Sequence, residues 1–408
     1  AQAILARGSL VNSSGLVSLS VSAHLLMGSC AKCCGLTALA LAVLIGWMNA
    51  QQHPMGIVFS VVFKLQGLGK TQTTEPVTDD LTPKPRPAGE MFFDLPGGYR
   101  MPANGIGMCC RPTAYDAVSV HRAILWYLLQ GGRHIDTASV YMNHESVALG
   151  IKDAVARGVP REEIFLTTKL WPGHFGYEES IQRGTDMVKE LGVDYIDLVL
   201  LHAPIPISPV VIGKRLYQML IGGEGGTTKL GSSPEMKNLR LEAWKGLSTL
   251  KEKGLIRNLG VSNFNIDHIK EVQALQLAPI AAHQMQFHPW APDWMKEIVA
   301  YCQENRIVVT GYFSLGGFNQ KDKAMDVAPL NEVAKAHGRR AAQILLRWSL
   351  QKNVSIIPGT GNPKHMADNL ATYEFSLSEA ERAAGFFGSH GWFFGSAVTG
   401  GNWHGCFF

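Results

Sequence analysis

Residues 131–141 read GGRHIDTASVY. The two glycines stop a helix pattern, because Ala117 to Gln130 (AVSVHRAILWYLLQ) carries apolar residues at helical spacing and runs straight into Gly131 and Gly132. A short β-like run, His134–Thr137, follows and ends around a carboxylate, Asp136. The arrangement recurs downstream: Lys169 lies 33 residues after Asp136 and His202 lies 33 residues after Lys169, each near the end of an apolar run. One strand-plus-helix repeat takes about 30 residues. The candidate strands are Ala103–Gly107, His134–Thr137, Ile164–Thr168, Ile196–Leu201, Arg257–Val261, Ala281–Gln286, Ile307–Gly311 and Val354–Ile357. The helical stretches between them include His144–Arg157, Ser180–Leu191, Leu241–Lys253 and Ala341–Lys352. Eight repeats predict an α/β fold of the (β/α)8 TIM-barrel type, in which residues at the carboxyl ends of the strands converge on one pocket. A doubly wound sheet also fits the alternation, but the absence of a Gly-x-Gly-x-x-Gly turn favours the barrel.

The composition agrees with a globular enzyme-sized chain. The protein has 408 residues, 46% of them hydrophobic, and 37 basic against 33 acidic side chains give a formal charge of +4. No long Lys/Arg run appears, so a broad nucleic-acid surface is not expected. Seven cysteines are too few for a disulfide scaffold, and their odd number leaves at least one thiol outside any intrachain pair. Packing is the simpler expectation for the adjacent Cys109 and Cys110, and a reducing compartment for the body of the chain.

The first ninety residues differ from the rest. No Asp or Glu precedes Glu75, while Ser, Ala, Leu and Gly dominate. Residues 1–70 read as a hydrophobic targeting or membrane-anchor leader. Its apolar stretches, Gly35–Trp47 and Gly56–Phe63, make membrane association through residues 33–63 an expectation, although the longer one is short of a ~20-residue span. A cleaved signal segment is the alternative, and the localisation otherwise expected is cytoplasmic. Cys30, Cys33 and Cys34 lack the second pair that a zinc site needs. Gly67–Thr71 (GLGKT) mimics a phosphate loop, but Lys64 stands where the first glycine belongs. Residues 71–90, with Pro76, Pro83, Pro85 and Pro87, form a Pro/Thr-rich linker. The barrel then occupies 91–408, with an insertion at Pro204–Arg240 and an aromatic tail at Ser389–Phe408.

The polar residues at three successive strand ends suggest a chemistry. A buried Asp136 needs a partner, and Lys169 is one repeat away. A structural ion pair would look the same. Tyr141, just past the Asp136 strand, adds a phenol to the pocket, and a neighbouring ammonium would lower its pKa from about 10 towards a useful range for proton donation. His202 could orient a carbonyl, or be a satisfied core histidine. Together the four form an acid site suited to carbonyl reduction. No His-x-His pair stands at a strand end, so no metal is expected.

At these residues the sequence resembles the aldo-keto reductase family. The matching stretches are GGRHIDTASVY (131–141), FLTTKLW (165–171), IDLVLLHAP (196–204), LGVSNF (259–264), HQMQFHP (283–289), GYFSLGG (311–317) and IIPGTGNPKHMADNL (356–370), in the family's order and spacing. The resemblance implies the catalytic tetrad Asp136, Tyr141, Lys169 and His202, and a nicotinamide cofactor bound in extended form. By the same carry-over Ser262, Asn263 and Gln284 would hold the nicotinamide carboxamide and Tyr312 would stack on its ring. Asp136 is included among the cofactor contacts. Leu315 and Gly316 would lie along the pyrophosphate, Thr360, His365 and Asn369 would meet the adenosine end, and Trp171 would line the substrate pocket.

The match departs from the pattern at one important place. Many family members have Lys-Ser after the last strand and an Arg several residues later, gripping the adenosine 2′-phosphate. Those positions here are Gly359, Thr360 and His365. Neither Lys364 nor His365 offers the bidentate fork of arginine. NADPH is the expected cofactor, with NADH not excluded. The expected activity is NAD(P)H-dependent reduction of an aldehyde or ketone, with the proton from Tyr141, by a monomer acting on a small-molecule carbonyl substrate. The rival reading is a membrane-tethered regulatory protein on the same scaffold, using cofactor occupancy as a sensor.

Overall fold

The computed structural model describes residues 82–204, 234–316 and 326–383. The leader at 1–70, most of the linker and of the 204–240 insertion, and the aromatic tail lie outside these residues.

The described chain opens with a hairpin, β1 (Phe92–Asp94) paired antiparallel with β2 (Arg100–Pro102). Leu95 and Met101 are buried against Phe165, Leu198, Leu200, Ala281 and Ala282, residues of the barrel strands. The hairpin thereby stoppers one end of the barrel, near the start of the strand that begins at Phe165.

Eight parallel strands follow in sequence order: β3 (Ile106–Gly107), β4 (His134–Asp136), β5 (Phe165–Leu170), β6 (Ile196–Leu201), β7 (Ile256–Ser262), β8 (Ile280–Gln286), β9 (Val308–Tyr312) and β10 (Val354–Ile356). Each pairs with the next, and the seam is joined by Gly105 N–H donating to Ile356 O (2.8 Å) and Ile356 N–H to Ala103 O (2.8 Å). The eight expected strands are all present. The first is shorter than its apolar run, because residues 103–105 serve the seam. Strands β5 (FLTTKL) and β6 (IDLVLL) are buried from end to end, since helices cover the outside of a parallel barrel, and the charged residues they bury, Lys169 and Asp197, are both paired.

The helices are α1 (Ala117–Leu129), α2 (His144–Ala156), α3 (Tyr177–Glu190), α4 (Pro234–Glu252), α5 (Ile266–Gln273), α6 (Asp293–Glu304), α7 (Ala328–Ala336), α8 (Ala341–Gln351), α9 (Pro363–Leu370) and the short α10 (Glu379–Ala383). Asp116 caps α1 by accepting from Ser119 N–H at 2.8 Å, and Asn265 caps α5 by accepting from His268 N–H at 2.8 Å. Helix α4 begins at Pro234, ahead of the expected Leu241, since proline is tolerated in a first turn. Among the described residues no helix is long and apolar enough to cross a membrane. Cys109 and Cys110, expected as packing residues, are joined in a disulfide, and Cys302 is the buried free thiol of the described chain.

Candidate active site

Strands β4, β5 and β6 bring Asp136, Lys169 and His202 to the same end of the barrel. Lys169 Nζ donates to Asp136 Oδ1 at 2.7 Å and to Thr137 O at 2.9 Å. Both charged side chains are sealed, Lys169 at 0% and Asp136 at 3% side-chain exposure. The second carboxylate oxygen, Asp136 Oδ2, accepts from Gln284 Nε2 at 2.7 Å. Tyr141 sits in a short turn after β4, with its hydroxyl 3.5 Å from Lys169 Nζ. The His202 ring meets Tyr141 and Trp171 edge-on, with centroids 5.7 Å and 5.4 Å away. The four expected catalytic residues and Trp171 are therefore one contiguous cluster.

The electrostatics differ from the expectation in one respect. Burial, then the Asp136 carboxylate, then Tyr115 and Tyr312, push the Tyr141 phenol well above its ordinary value. The ammonium was expected to pull it down. It does not prevail because burial, the largest cause, and the Asp136 carboxylate both disfavour the phenolate. Burial also lowers the Lys169 ammonium, against the opposing pull of Asp136. Burial and the Lys169 charge hold His202 well below the usual imidazole range, so it is neutral at neutral pH. Its Nδ1 is sealed and has no partner among the described residues.

A second web lies beside the first. Ser262 at the end of β7 is in register with Gln284 on β8. Asn263 adopts a left-handed backbone (φ +61°), which asparagine tolerates, and its N–H donates to Gln284 O at 2.9 Å. Asn263 Nδ2 donates to His202 O (3.0 Å) and Ser262 Oγ (3.1 Å), while Tyr312 OH donates to Asn263 Oδ1 (2.7 Å). Two amides and a hydroxyl at neighbouring strand ends are a donor and acceptor set complementary to a carboxamide. The residues present thus fit the nicotinamide end of a dinucleotide. Leu315 packs against the core, and Gly316 N–H turns back to Phe313 O at 3.1 Å.

Thr360, His365 and Asn369 stand apart from both webs, on the turn after β10 and on α9. Thr360 Oγ1 accepts from Asn362 N–H at 3.0 Å, and Asn362 Oδ1 caps the helix by accepting from Lys364 N–H at 2.9 Å. Asn369 offers its carbonyl to Asn104 Nδ2 at 2.6 Å.

Two residues that carry the mouth are absent from the sequence-based expectation. Asn143 is buried, accepts from Thr137 Oγ1 (2.6 Å) and donates to Met108 O (2.9 Å) and Ala114 O (3.2 Å), tying the loop after β3 to the loop after β4. Arg111 lies on that tied loop and folds back on the end of β3. Neither stands in a motif, and a buried asparagine in a loop has no signature in the chain.

The comparisons agree with this architecture. The model of the aldo/keto reductase family matches residues 105–384. The NADH-dependent D-xylose reductase of Candida parapsilosis is 32% identical over 304 residues, covering 71% of this chain and 90% of that protein. Aldo-keto reductase family 1 member A1 of Rattus norvegicus is 33% identical over 292 residues, covering 70% of this chain and 85% of that protein. Among solved structures, an aldo-keto reductase of Bombyx mori in complex with NADP superposes with a TM-score of 0.61 at 28% identity, covering 72% of this chain and 91% of that one.

Proposed function

The chain belongs to the aldo/keto reductase family, and from that premise we propose that it reduces an aldehyde or ketone to an alcohol with a nicotinamide cofactor, Tyr141 supplying the proton. The observation that carries this reading is the buried Asp136–Lys169–Tyr141 chain with His202 against the Tyr141 ring. Reduction adds a hydride to the carbonyl carbon and a proton to its oxygen. The cofactor, when bound, supplies the hydride.

This chain's residues do the rest. Tyr141 stays protonated because burial and the Asp136 charge disfavour its phenolate. As negative charge grows on the carbonyl oxygen, the phenol gives up its proton and the adjacent ammonium of Lys169 stabilises the phenolate left behind. Asp136 holds Lys169 in that position. His202, neutral at this pH, orients the carbonyl oxygen by a hydrogen bond from its ring. Ser262, Asn263 and Gln284 grip the carboxamide, and the ring of Tyr312 lies beside them. Trp171 forms an apolar wall for the substrate next to His202. Fixing both reactants in attack geometry removes much of the entropic barrier.

NADPH is the proposed cofactor. A relative solved with NADP supports it, while a relative named as an NADH-dependent xylose reductase keeps NADH in the test. The experiment is to follow oxidation of NADPH, then NADH, by the full-length chain with a panel of aldehydes and ketones. Carbonyl-dependent oxidation is the expected result. Cofactor binding with no turnover on any carbonyl would contradict the reading.

A further inference from the structure

Among the described residues Arg111 is a cation that no carboxylate answers. Arg133, Arg183 and Arg240 each meet an acid, Glu163, Glu190 and Glu271 respectively. Arg111 instead donates from Nη1 to Gly107 O (2.6 Å) and from Nη2 to Met108 Sδ (3.5 Å), and its Nε is sealed with no partner among the described residues. One carbonyl and one thioether are poor compensation for a half-buried charge with its Nε sealed. Burial lowers the guanidinium to about 10, which leaves it protonated at neutral pH.

Its place in the fold says what the charge faces. Gly107 ends β3 and is in register with Asp136, so Arg111 stands at the barrel mouth. Across the seam comes the turn after β10. A Cβ on Gly359 would lie 2.8 Å from Arg111 Nη1 and 2.9 Å from Gly107 O, and one on Gly361 would lie 3.1 Å from Thr113 Oγ1. Gly359 does not adopt a left-handed backbone, so the glycine is required for space. This exposed turn leads into α9, whose amino end, with Lys364, also favours an anion. It is the stretch from which the lysine and arginine of the family pattern are missing.

We infer that Arg111 is the phosphate ligand of this site: its guanidinium, reaching the mouth from the loop after β3 beside the space Gly359 leaves open, binds a phosphate of the nicotinamide dinucleotide in place of the side chains that Gly359 and His365 lack. The inference rests on the proposed reductase reading. A guanidinium suits the task because its planar fork matches two phosphate oxygens. The phosphate is either the 2′-phosphate of NADP or the pyrophosphate common to both dinucleotides.

The test is binding of NADP+ and NAD+ to the full-length chain, read by quenching of tryptophan fluorescence and by the ligand-induced rise in Tm, for wild type, Arg111→Gln and Arg111→Lys. Losing a charged hydrogen-bond donor is expected to raise Kd by roughly 10- to 100-fold in Arg111→Gln. Arg111→Lys, a point charge without the fork, is expected to lose less. A rise for NADP+ alone identifies the 2′-phosphate, and an equal rise for both identifies the pyrophosphate. Should Arg111→Gln fail to fold, the Lys variant decides. Unchanged Kd values in the folded variant would overturn the inference while leaving the reductase reading intact. A wild-type chain that binds neither dinucleotide would overturn both.

Discussion

Lys169 Nζ and Asp136 Oδ1 lie 2.7 Å apart with both side chains sealed from solvent, the carboxylate held from its other side by Gln284. A buried pair of this kind contributes little net stability, but removing one member leaves the other charge uncompensated. Lys169→Met is expected to cost about 3–5 kcal/mol in urea unfolding. The double variant Asp136→Asn, Lys169→Met keeps no unpaired charge and is expected to be more stable than Lys169→Met alone. A single variant as stable as wild type would contradict the burial.

His283 gives a pH prediction. It is fully buried, accepts from Phe264 N–H at Nε2 (3.2 Å), and burial lowers it from 6.5 to about 4. The folded state favours the neutral ring, so the unfolded state binds the extra proton between those values. The contribution is present in full above pH 6.5 and declines as pH falls towards about 4. Burial holds His134 and His288 at about 4 in the same way. Unfolding free energy is expected to fall steadily over that window, less steeply in His283→Gln. A flat profile in wild type would be the contrary result.

Gly131 predicts a local cost. It takes φ +95°, where a side chain is strained, and an added Cβ would run into Pro85 O. Gly131→Ala is expected to cost at least about 1–3 kcal/mol. Thermal unfolding checks it, and an unshifted Tm would contradict the close approach of residue 85 to the end of α1.

Asn143 ties the loop that carries Arg111. Asn143→Ala leaves the Met108 and Ala114 carbonyls without its amide and is expected to cost about 1–3 kcal/mol. Binding of NADP+ should weaken with it, because Arg111 loses its anchorage. A variant that is destabilised yet binds NADP+ with unchanged Kd would separate the loop from the cofactor.

The barrel and the clustering of Asp136, Tyr141, Lys169 and His202 are legible because both follow from local pattern. Apolar runs and helix-stopping glycines set the repeat, and the 33-residue interval put Asp136, Lys169 and His202 at equivalent strand ends. What escaped depends on contacts far apart in the chain. Gln284 reaches Asp136 across 148 residues, and the spatial match of Gly359 with Arg111 joins the first barrel strand to the last. The direction of the Tyr141 shift escapes the sequence for the same reason. Proximity of a lysine can be guessed from spacing, but full burial and the opposing effect of the carboxylate cannot. The leader, the insertion and the aromatic tail lie largely outside the described residues.

The central claim is that Tyr141 donates the proton, and one substitution isolates it. Tyr141→Phe keeps the ring against His202 and removes only the hydroxyl beside Lys169. In the full-length chain, NADPH binding followed by tryptophan fluorescence should be nearly unchanged. Turnover on a carbonyl that wild type reduces should fall by about 10²- to 10⁴-fold. Undiminished turnover in that variant would contradict the account.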